Sequence, residues 1–189
     1  YPNNYYGYTK LTIENNLKWF SELKGIRYGI LRYFNAAGYD LEGRVSGLEV
    51  NSQNLIPKVM ETAIGERKQV NIFGDNYNTK DGTAIRDYVH VSDLARAHID
   101  VIQYIDKENK DVILNLGSGN GYSVLEVVNK IINISGKKIK YEYQNRRLGD
   151  SDTLIAKADL AKNLFGWECK YSDLDTIIGS MWKVYKSNP

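Results

Sequence analysis

The sequence predicts an α/β fold in which short strands alternate with helices. Three observations carry this prediction. Apolar residues recur at helical spacing in several segments, short apolar runs stand between those segments, and Ser or Gly residues mark where helices begin and end. No repeat, low-complexity segment or Pro-rich linker interrupts the alternation. The pattern is that of an α/β domain.

The first half of the chain opens with a helix from about Tyr5 to Leu23. Its apolar stripe includes Leu11, Trp19, Phe20 and Leu23, and Gly25 ends the helix. The elements predicted next are a strand at Arg27–Tyr33, a Gly-containing loop at Phe34–Val50, a helix from Leu55 to Ile64 closed by Gly65, and a strand at Val70–Phe73.

The second half begins with a long polar loop, Gly74–Ile85, and continues with capped helices. Ser92 is expected to cap a helix from Asp93 to about Ile105, and Ser123 a helix through Ile134 that Gly136 stops. The other predicted elements are strands at Arg86–Val91 and Val112–Leu116, a half-exposed strand at Lys138–Tyr143, and helices near Asp159–Phe165 and Leu174–Lys186.

Composition narrows the class of protein. The 189 residues carry a net charge of +2, and 42% of them are hydrophobic, so a core can form. Neither a basic stripe for nucleic acid nor an apolar run of about 18 residues for a membrane is present. The single Cys169 fits a reducing compartment and is expected to be an ordinary thiol. The start at Tyr1-Pro2, without Met, indicates a segment of a longer protein.

Tyr6 and Lys10 form the first candidate site. Side chains at this spacing are neighbours on a helix, and an ammonium favours the phenolate, which lets a tyrosine act as a base nearer neutral pH. Tyr5 and Tyr8 have no Lys at the same distance. A Tyr–Lys pair is also common on protein surfaces, so the spacing alone leaves both interpretations open.

A glycine-rich segment, Gly117–Gly121, follows a predicted strand and precedes a helix. Its spacing is Gly-x-Gly-x-Gly, whereas the dinucleotide fingerprint reads Gly-x-Gly-x-x-Gly, and the next strand leads into Gln144 and Asn145 instead of an acidic residue. We therefore interpret the segment as a tight strand-to-helix turn and expect no phosphate-binding loop in this chain.

Several ordered blocks together resemble one enzyme family. Tyr6–Lys10 resembles the Tyr-x-x-x-Lys helix of the extended short-chain dehydrogenase/reductase family, and Leu31–Gly38 stands where that family's next strand should follow. Asn54–Pro57 opens the next helix, and Ile72–Val91 resembles the signature of UDP-glucose 4-epimerases. The blocks Asn115–Gly119, Arg146–Asp150 and Leu164–Trp167 match the family in the same order.

The resemblance implies a domain organisation. The chain looks like the carboxyl-terminal half of such an enzyme, with residues 1–50 as a remnant of the NAD-binding Rossmann domain. Residues 51–189 would be mainly a smaller nucleotide-sugar-binding α/β domain, with segments that return to the Rossmann sheet. The family's Gly-rich NAD turn lies upstream of the Tyr-x-x-x-Lys helix, so we expect this chain alone to be inactive.

The resemblance also implies the reaction and its cofactor. The full-length enzyme would interconvert UDP-glucose and UDP-galactose through a 4-keto intermediate, with NAD as a transient hydride store. Tyr6 would remove the hydroxyl proton, and Lys10 would favour the phenolate and bind the nicotinamide ribose. Tyr33 matches a position beside the nicotinamide, although a strand Tyr packed in the core is almost equally consistent with the pattern.

The same resemblance assigns the nucleotide-sugar contacts. Each assignment has a plainer alternative: a turn or cap Asn, a core Leu or Phe, a surface salt bridge, or a loop-capping Asp. The implied contacts are Asn35 with the UDP-sugar, Asn54 and Leu55 near the phosphate and uracil, Phe73 with the uridine, Arg86 and Arg147 with the pyrophosphate, Asp150 with a ribose hydroxyl, and Leu154 in the hexose pocket.

Departures from the family pattern leave alternatives open. Tyr5 stands where a Pro often precedes the catalytic Tyr. Leu154 lies where a Tyr excludes N-acetylated sugars and a small residue admits them, so we expect some activity on UDP-N-acetylglucosamine. Other sugar-nucleotide epimerases or dehydratases, or a non-catalytic sugar-nucleotide-binding module, are the alternatives. We expect a cytoplasmic homodimer at full length, without a metal site.

Overall fold

Helices and short strands alternate through residue 2 and residues 4–188, the part of the chain that the computed structural model describes, and the predicted α/β class is confirmed. The helices are α1 (Tyr5–Lys24), α2 (Leu55–Ala63), α3 (Val91–Glu108), α4 (Val124–Ser135), α5 (Asp159–Phe165) and α6 (Leu174–Tyr185). The strands are β1 (Gly29–Tyr33), β2 (Asn35–Ala37), β3 (Val70–Phe73), β4 (Ile85–Arg86), β5 (Tyr88–His90), β6 (Val112–Leu116), β7 (Tyr122–Ser123), β8 (Tyr141–Gln144) and β9 (Thr153–Leu154).

Strands that are distant in the sequence pair with one another. β1 pairs with β6, β2 with β5 and β3 with β8, all in parallel. β4 lies between β7, which is antiparallel to it, and β9, which is parallel to it. Because parallel neighbours need long crossover connections, each pairing joins segments from different parts of the chain. This arrangement brings the predicted ligand contacts together.

Two apolar cores hold the elements in place. The first lies among α2, α4 and α6 and includes buried residues of β3, such as Ile72. The second lies among α3, β6 and α5, where Trp167 is fully buried and donates a hydrogen bond from Nε1 to the backbone oxygen of Asp93, at 3.0 Å. Burial of large side chains of this kind is the main stabilising contribution to the fold.

Helix ends follow most of the capping predictions. Ser123 and Glu126 form a reciprocal capping box at the start of α4, with distances of 3.0 and 2.8 Å. Gly25 and Gly136 end their helices in the left-handed conformation, as predicted. The predicted cap at Ser92 is wrong, because α3 already begins at Val91 and the ring of the preceding histidine accepts the Ser92 N–H.

Most of the apolar stripe of α1 is exposed in the part of the chain that the structure describes. Trp19, Phe20 and Leu23 are exposed by 62%, 55% and 71%. The helix is attached instead through Glu14, whose carboxylate accepts two hydrogen bonds from Arg32 of β1. These bonds hold the pKa of Glu14 below its usual value. A periodic apolar stripe indicates a face able to pack, and no described element covers this one.

Three strand predictions also differ from the structure. The predicted strand Arg86–Val91 is divided at Asp87, because β4 and β5 pair in different sheets. The predicted loop Phe34–Val50 contains β2, which pairs with β5. The strand predicted at Lys138–Tyr143 begins only at Tyr141, and all four residues of β8 are exposed. Strands this short depend on their distant partners, which local periodicity does not reveal.

Candidate functional site

Tyr6 and Lys10 lie in the first turns of α1. Asn4 caps this helix and accepts a hydrogen bond from the Gly7 N–H at 2.8 Å. The Lys10 ammonium lies over the face of the Tyr6 ring, 5.2 Å from its centroid, which is a cation–π contact. Tyr6 is 70% exposed, so both functional groups are accessible. The predicted neighbourhood of the pair is confirmed, and its catalytic role stays a prediction.

Tyr33 ends β1 with a partly exposed ring. The edge of this ring meets His98 of α3, with 6.2 Å between the ring centroids, and the backbone pairs with Leu116 of β6. Because 41% of the side chain is exposed, Tyr33 is not the fully packed core residue of the plainer interpretation. An aromatic face remains accessible at the end of a parallel strand.

Asn35, Asn54 and Leu55 line one cavity of about 340 Å³. The Asn35 side chain donates from Nδ2 to the backbone oxygen of Asp87, at 2.8 Å. This bond fixes the amide orientation and leaves its carbonyl oxygen able to accept a hydrogen bond. Tyr88 and Tyr185 contribute buried aromatic walls to the cavity. The structure therefore brings together three contacts that the sequence assigned to one ligand.

The side chain of Asn54 is free of the helix that it precedes. Asn54 occupies the cap position of α2, but its side chain makes no capping hydrogen bond to the described helix. Its backbone N–H is bound by Ser52 Oγ at 3.3 Å. The plainer interpretation of Asn54 as a helix cap thus holds for its backbone position but not for its side chain. Leu55 packs against the first core and also lines the cavity, so both interpretations of Leu55 hold.

Phe73, Arg86, Arg147 and Asp150 form what we call the arginine cluster. Arg147 Nε donates to Asp150 Oδ2 at 3.1 Å, and the Arg147 guanidinium carbon lies 4.9 Å from the centroid of the Phe73 ring. Arg86 Nη2 lies 3.8 Å from Asp150 Oδ1. These residues come from β3, β4 and the loop after β8. The fold thus assembles four of the predicted ligand contacts at one place.

The two arginines of the cluster are held differently. Arg86 is mostly buried, and its Nη1 donates to the backbone oxygens of Ile85 and Ser151, at 2.8 and 2.9 Å. Arg147 is 61% exposed and is bound only through Nε to Asp150 among the described residues. Two guanidinium groups share one carboxylate, so the cluster carries an excess positive charge. Such a charge suits a diphosphate, which guanidinium groups bind with paired hydrogen bonds.

Leu154 lies beside the arginine cluster. It stands opposite Arg86 in the parallel register of β4 and β9, and 40% of its side chain is exposed. Its position beside Arg86 agrees with a residue at the rim of a ligand site, as the resemblance implied. The size of the side chain at this point affects how much space a ligand would have.

Asp87 is a residue of the site region that the sequence analysis missed. It is fully buried, and its carboxylate accepts hydrogen bonds from Ser118 N and Oγ, at 3.0 and 2.7 Å, and from Gly119 N and Ala156 N, at 3.3 and 3.2 Å. Its backbone oxygen holds Asn35. The position of Asp87 between Arg86 and Tyr88, inside the quoted signature, was the available signal.

These contacts also explain the glycine-rich turn. The N–H groups of Ser118 and Gly119, which a phosphate would need, are given to the Asp87 carboxylate. A side chain at Gly117 would meet Ala156 and Asp87 at 2.3 and 2.6 Å, so the turn requires glycine for close packing. The interpretation as a structural turn agrees with this geometry.

Other chemistry is sparse in the part of the chain that the structure describes. Burial raises the pKa of the Cys169 thiol to about 11, which opposes a nucleophilic role. Within residue 2 and residues 4–188, no cluster of three or more His, Cys, Asp or Glu residues could hold a metal ion. None of the described helices combines the length and the apolar character that crossing a membrane requires.

Parallel strand pairs joined by helices, with a Tyr–Lys pair on the first helix, define the class of α/β folds to which extended short-chain dehydrogenases/reductases belong. Residues 1–117 match the NAD dependent epimerase/dehydratase family, and the chain belongs to this family.

Known proteins resemble the chain over almost its whole length. It is 44% identical over 188 residues to a UDP-glucose 4-epimerase of Halalkalibacterium halodurans. The aligned region covers 100% of this chain and 56% of that protein. A crystal structure of UDP-glucose 4-epimerase from Bifidobacterium longum in complex with NAD+ and UDP superimposes with a TM-score of 0.90 at 38% identity, over 100% of this chain and 56% of that one.

A third comparison concerns a broader substrate range. The UDP-Glc/GlcNAc 4-epimerase from Campylobacter jejuni superimposes with a TM-score of 0.77 at 39% identity, over 96% of this chain and 55% of that one. The chain therefore spans about half the length of the relatives that it matches. This share agrees with the expectation, drawn from the motifs, that the chain corresponds to about half of such an enzyme.

Proposed function

We propose that the protein to which this chain belongs is a UDP-hexose 4-epimerase that interconverts UDP-glucose and UDP-galactose. The observation that carries the proposal is the arginine cluster: three separate segments bring an aromatic ring, two guanidinium groups and a carboxylate to one place. These are the groups that a uridine diphosphate needs. The similarity to UDP-glucose 4-epimerases, including one with NAD+ and UDP, supports the same ligand.

Tyr6 is the proposed acid and base of the reaction. The hydrogen on C4 of a hexose is not acidic, so proton removal alone cannot invert this carbon. We propose that Tyr6 takes the proton of the C4 hydroxyl as the carbon is oxidised, and returns it when the 4-keto sugar is reduced. Lys10, one helical turn away, is proposed to supply the neighbouring positive charge in this reaction.

NAD is the proposed cofactor, and the donor set at the start of α1 fits it. A phenol and an ammonium, both accessible, are suited to the ribose hydroxyls beside a nicotinamide. When bound, NAD would accept hydride from C4 and return it to the opposite face, without net redox change. Tyr33 is proposed to pack its accessible ring against the nicotinamide.

The remaining predicted residues are proposed to hold the substrate. Arg86 and Arg147 would bind the diphosphate, Phe73 the uridine, and Asp150 a ribose hydroxyl. The residues of the cavity are proposed to contact the same ligand: Asn35 would contact the UDP-sugar, with its amide already oriented, and Asn54 and Leu55 would lie near the phosphate and uracil. Firm binding of the nucleotide leaves the 4-keto sugar free to turn between oxidation and reduction.

A wider substrate range is the second proposal. Leu154 is shorter than the Tyr that closes this position against N-acetylated sugars, and it is partly exposed beside Arg86. The similarity to a UDP-Glc/GlcNAc 4-epimerase supports the same idea. We infer that the intact protein also converts UDP-N-acetylglucosamine, more slowly than UDP-glucose. Activity on UDP-galactose with none on the acetylated sugar would contradict this second proposal.

We further propose how the chain divides between two domains. Residues 1–50 would belong to the NAD-binding domain and residues 51–189 mainly to the nucleotide-sugar-binding domain. The pairing of β1 with β6 supports the return of later segments to the first sheet. Taken alone, the chain is then expected to bind UDP weakly and to catalyse no turnover.

The intact protein is proposed to be a cytoplasmic homodimer. Exposed apolar side chains of α1, such as Trp19 and Phe20, support an interface in the whole protein. The single Cys169, whose thiol is free, fits a reducing compartment. Light scattering of the intact protein tests the dimer, and a monomer at micromolar concentration would contradict it.

The experiment that tests the proposed function is an assay of the intact protein with UDP-galactose. Proton NMR distinguishes the H4 signals of the two hexoses and follows both directions without coupling enzymes. We expect both starting sugars to reach the same equilibrium mixture. Formation of a dehydrated sugar instead would favour a dehydratase, and UDP binding without conversion would favour a non-catalytic module.

A further inference from the structure

Two consecutive arginines, Arg146 and Arg147, have different surroundings. Arg147 joins Asp150 and Phe73 in the arginine cluster. Arg146 takes no part in that cluster, and its guanidinium carbon lies 3.8 Å from the centroid of the Tyr77 ring. The duplication therefore places one guanidinium group at the proposed ligand site and the other against the preceding loop.

The contacts of Arg146 connect two loops. Its Nη2 donates to the backbone oxygen of Asn76 at 2.8 Å and lies 3.6 Å from Asp152 Oδ1. Asp152 in turn accepts the Asn78 N–H at 3.1 Å. These bonds tie the segment after β8 to the long loop between β3 and β4. The arrangement combines a stacked ring, a backbone carbonyl and a carboxylate around one guanidinium group, as Arg geometry allows.

Tyr77 provides a rigid surface for this guanidinium group. The side chain is 4% exposed, and its hydroxyl finds no hydrogen-bond partner among the described residues, so the ring is the part that is used. Gly74 makes room for the stack: a Cβ there would lie 2.4 Å from Tyr77 Cε2 and 2.8 Å from Arg146 Cγ. The close approach requires a glycine at this turn, where φ is +89°.

We propose that Arg146 is a positioning residue for UDP binding, which pins the loop that carries Arg147 and Asp150 against the Tyr77 ring. This inference rests on the proposed function. Arg147 is largely exposed and is held by one hydrogen bond within the described chain, so its direction depends on the backbone of this loop. Pinning the loop before the ligand arrives removes part of the ordering cost of binding.

The test is titration calorimetry of the intact protein with UDP. We expect Arg146→Ala to raise the Kd for UDP about five- to tenfold while kcat stays within about twofold, because only preorganisation is lost. Arg146→Lys should restore most of the affinity, since an ammonium also stacks on the ring and reaches a carbonyl. A role in overall stability alone would not separate affinity from kcat in this way.

Tyr77 supplies the second arm of the test. Tyr77→Leu should raise the Kd for UDP by a similar factor. The double variant, Tyr77→Leu with Arg146→Ala, should have a Kd no higher than that of the single variant that binds UDP less tightly. Tyr77→Phe should bind UDP normally, because the hydroxyl is unused. Amide hydrogen exchange in residues 145–150 should accelerate in both Arg146→Ala and Tyr77→Leu, which shows loosening of the loop directly. Arg27→Ala, which removes the same charge elsewhere, is the matched control.

Each outcome supports or overturns the inference. If the unmodified protein binds UDP and Arg146→Ala binds it equally well, the positioning role is wrong while the proposed function stands. Multiplying effects of the Arg146 and Tyr77 changes would show that Arg146 contacts the ligand by itself, which also overturns the inference. If the unmodified protein binds no UDP, the proposed function fails and the inference fails with it.

Discussion

The arginine cluster and the Tyr6–Lys10 pair differ in how much of their surroundings this chain supplies. In the cluster, Arg86 is held by two backbone carbonyls and Asp150 joins both arginines. At the start of α1, by contrast, Tyr6 is largely exposed, and the Lys10 ammonium contacts it by lying over the face of its ring. The proposed nucleotide site is thus assembled within the chain, whereas the proposed acid–base pair lies exposed on the surface of the chain.

Because of this difference, we expect UDP binding and catalytic turnover to respond to changes at different residues. Changes in the arginine cluster should alter UDP affinity, since the groups are already directed at one place. Changes in the Tyr6–Lys10 pair should alter turnover in the intact protein and leave UDP affinity unchanged. The predictions that follow probe this separation, beginning with the largest expected effect.

Replacing Lys10 should affect chemistry alone. We expect Lys10→Met in the intact protein to lower kcat about 100-fold or more, because the phenolate loses its neighbouring charge. The Kd for UDP should stay the same, and Lys18→Met on the same helix serves as a control. An increase in the Kd without a change in kcat would break the separation between the two regions.

Replacing Arg147 should affect binding. Arg147→Ala removes a charge-assisted contact to the proposed diphosphate, which we expect to weaken UDP binding about 10- to 100-fold. Titration calorimetry measures the effect, and uridine, which lacks the diphosphate, should bind both forms with similar affinity. Equal UDP affinity in the variant and the unmodified protein would remove the diphosphate from the arginine cluster.

Replacing Leu154 by a larger residue should increase the discrimination against the N-acetylated sugar. Leu154→Tyr is expected to lower kcat/KM for UDP-N-acetylglucosamine about tenfold while leaving UDP-galactose within about threefold, because the larger ring takes space beside Arg86. Parallel NMR assays with the two sugars measure the ratio. A variant that loses both activities equally would place Leu154 outside the hexose pocket.

The smallest expected effect concerns His90, the last residue of β5. Its ring is fully buried, and burial lowers the pKa of His90 below its ordinary value of 6.5, against the opposing charges of Asp93, Asp173 and Asp40. The unfolded chain therefore binds the proton more readily. The contribution of His90 to the stability of the fold is therefore fully present above about pH 6.5, the ordinary pKa that applies to the unfolded chain. This contribution is lost as the pH falls below that value toward the lower pKa of the folded chain.

Thermal unfolding between pH 7.5 and 5.5 measures this dependence. We expect Tm to fall across the interval, and to fall less steeply in His90→Gln. His98→Gln, a change at the other histidine, whose side chain is exposed, should keep the slope of the unmodified protein. An unchanged slope in His90→Gln would assign the pH dependence to other groups.

Much of the fold follows from local sequence. Ser123 and Glu126 specify the start of α4, and Gly25 and Gly136 specify helix ends, because these signals act within one turn. The break between β4 and β5 could not be predicted in this way. It arises because β4 and β5 pair in different sheets, and Asp87 at the break is hydrogen-bonded to two distant segments.

The candidate site likewise contains features that the sequence predicted and features that depend on the three-dimensional structure. The family resemblance implied that Arg86, Arg147 and Asp150 contact one ligand, and the structure brings them together. The resemblance assigned Arg147 to this ligand and gave no role to Arg146, whose contacts with Tyr77 and Asn76 appear only in three dimensions. The exposure of the apolar stripe of α1 could not be predicted either, since periodicity describes a face and not the element that covers it.

Replacement of Tyr6 by Phe in the intact protein tests the central claim most directly. The change removes one hydroxyl and keeps the ring on which Lys10 lies. We expect interconversion of UDP-galactose and UDP-glucose, followed by NMR, to fall about 1,000-fold while UDP binds with unchanged affinity. Undiminished interconversion by Tyr6→Phe would contradict the assignment of this phenol as the acid and base of the reaction.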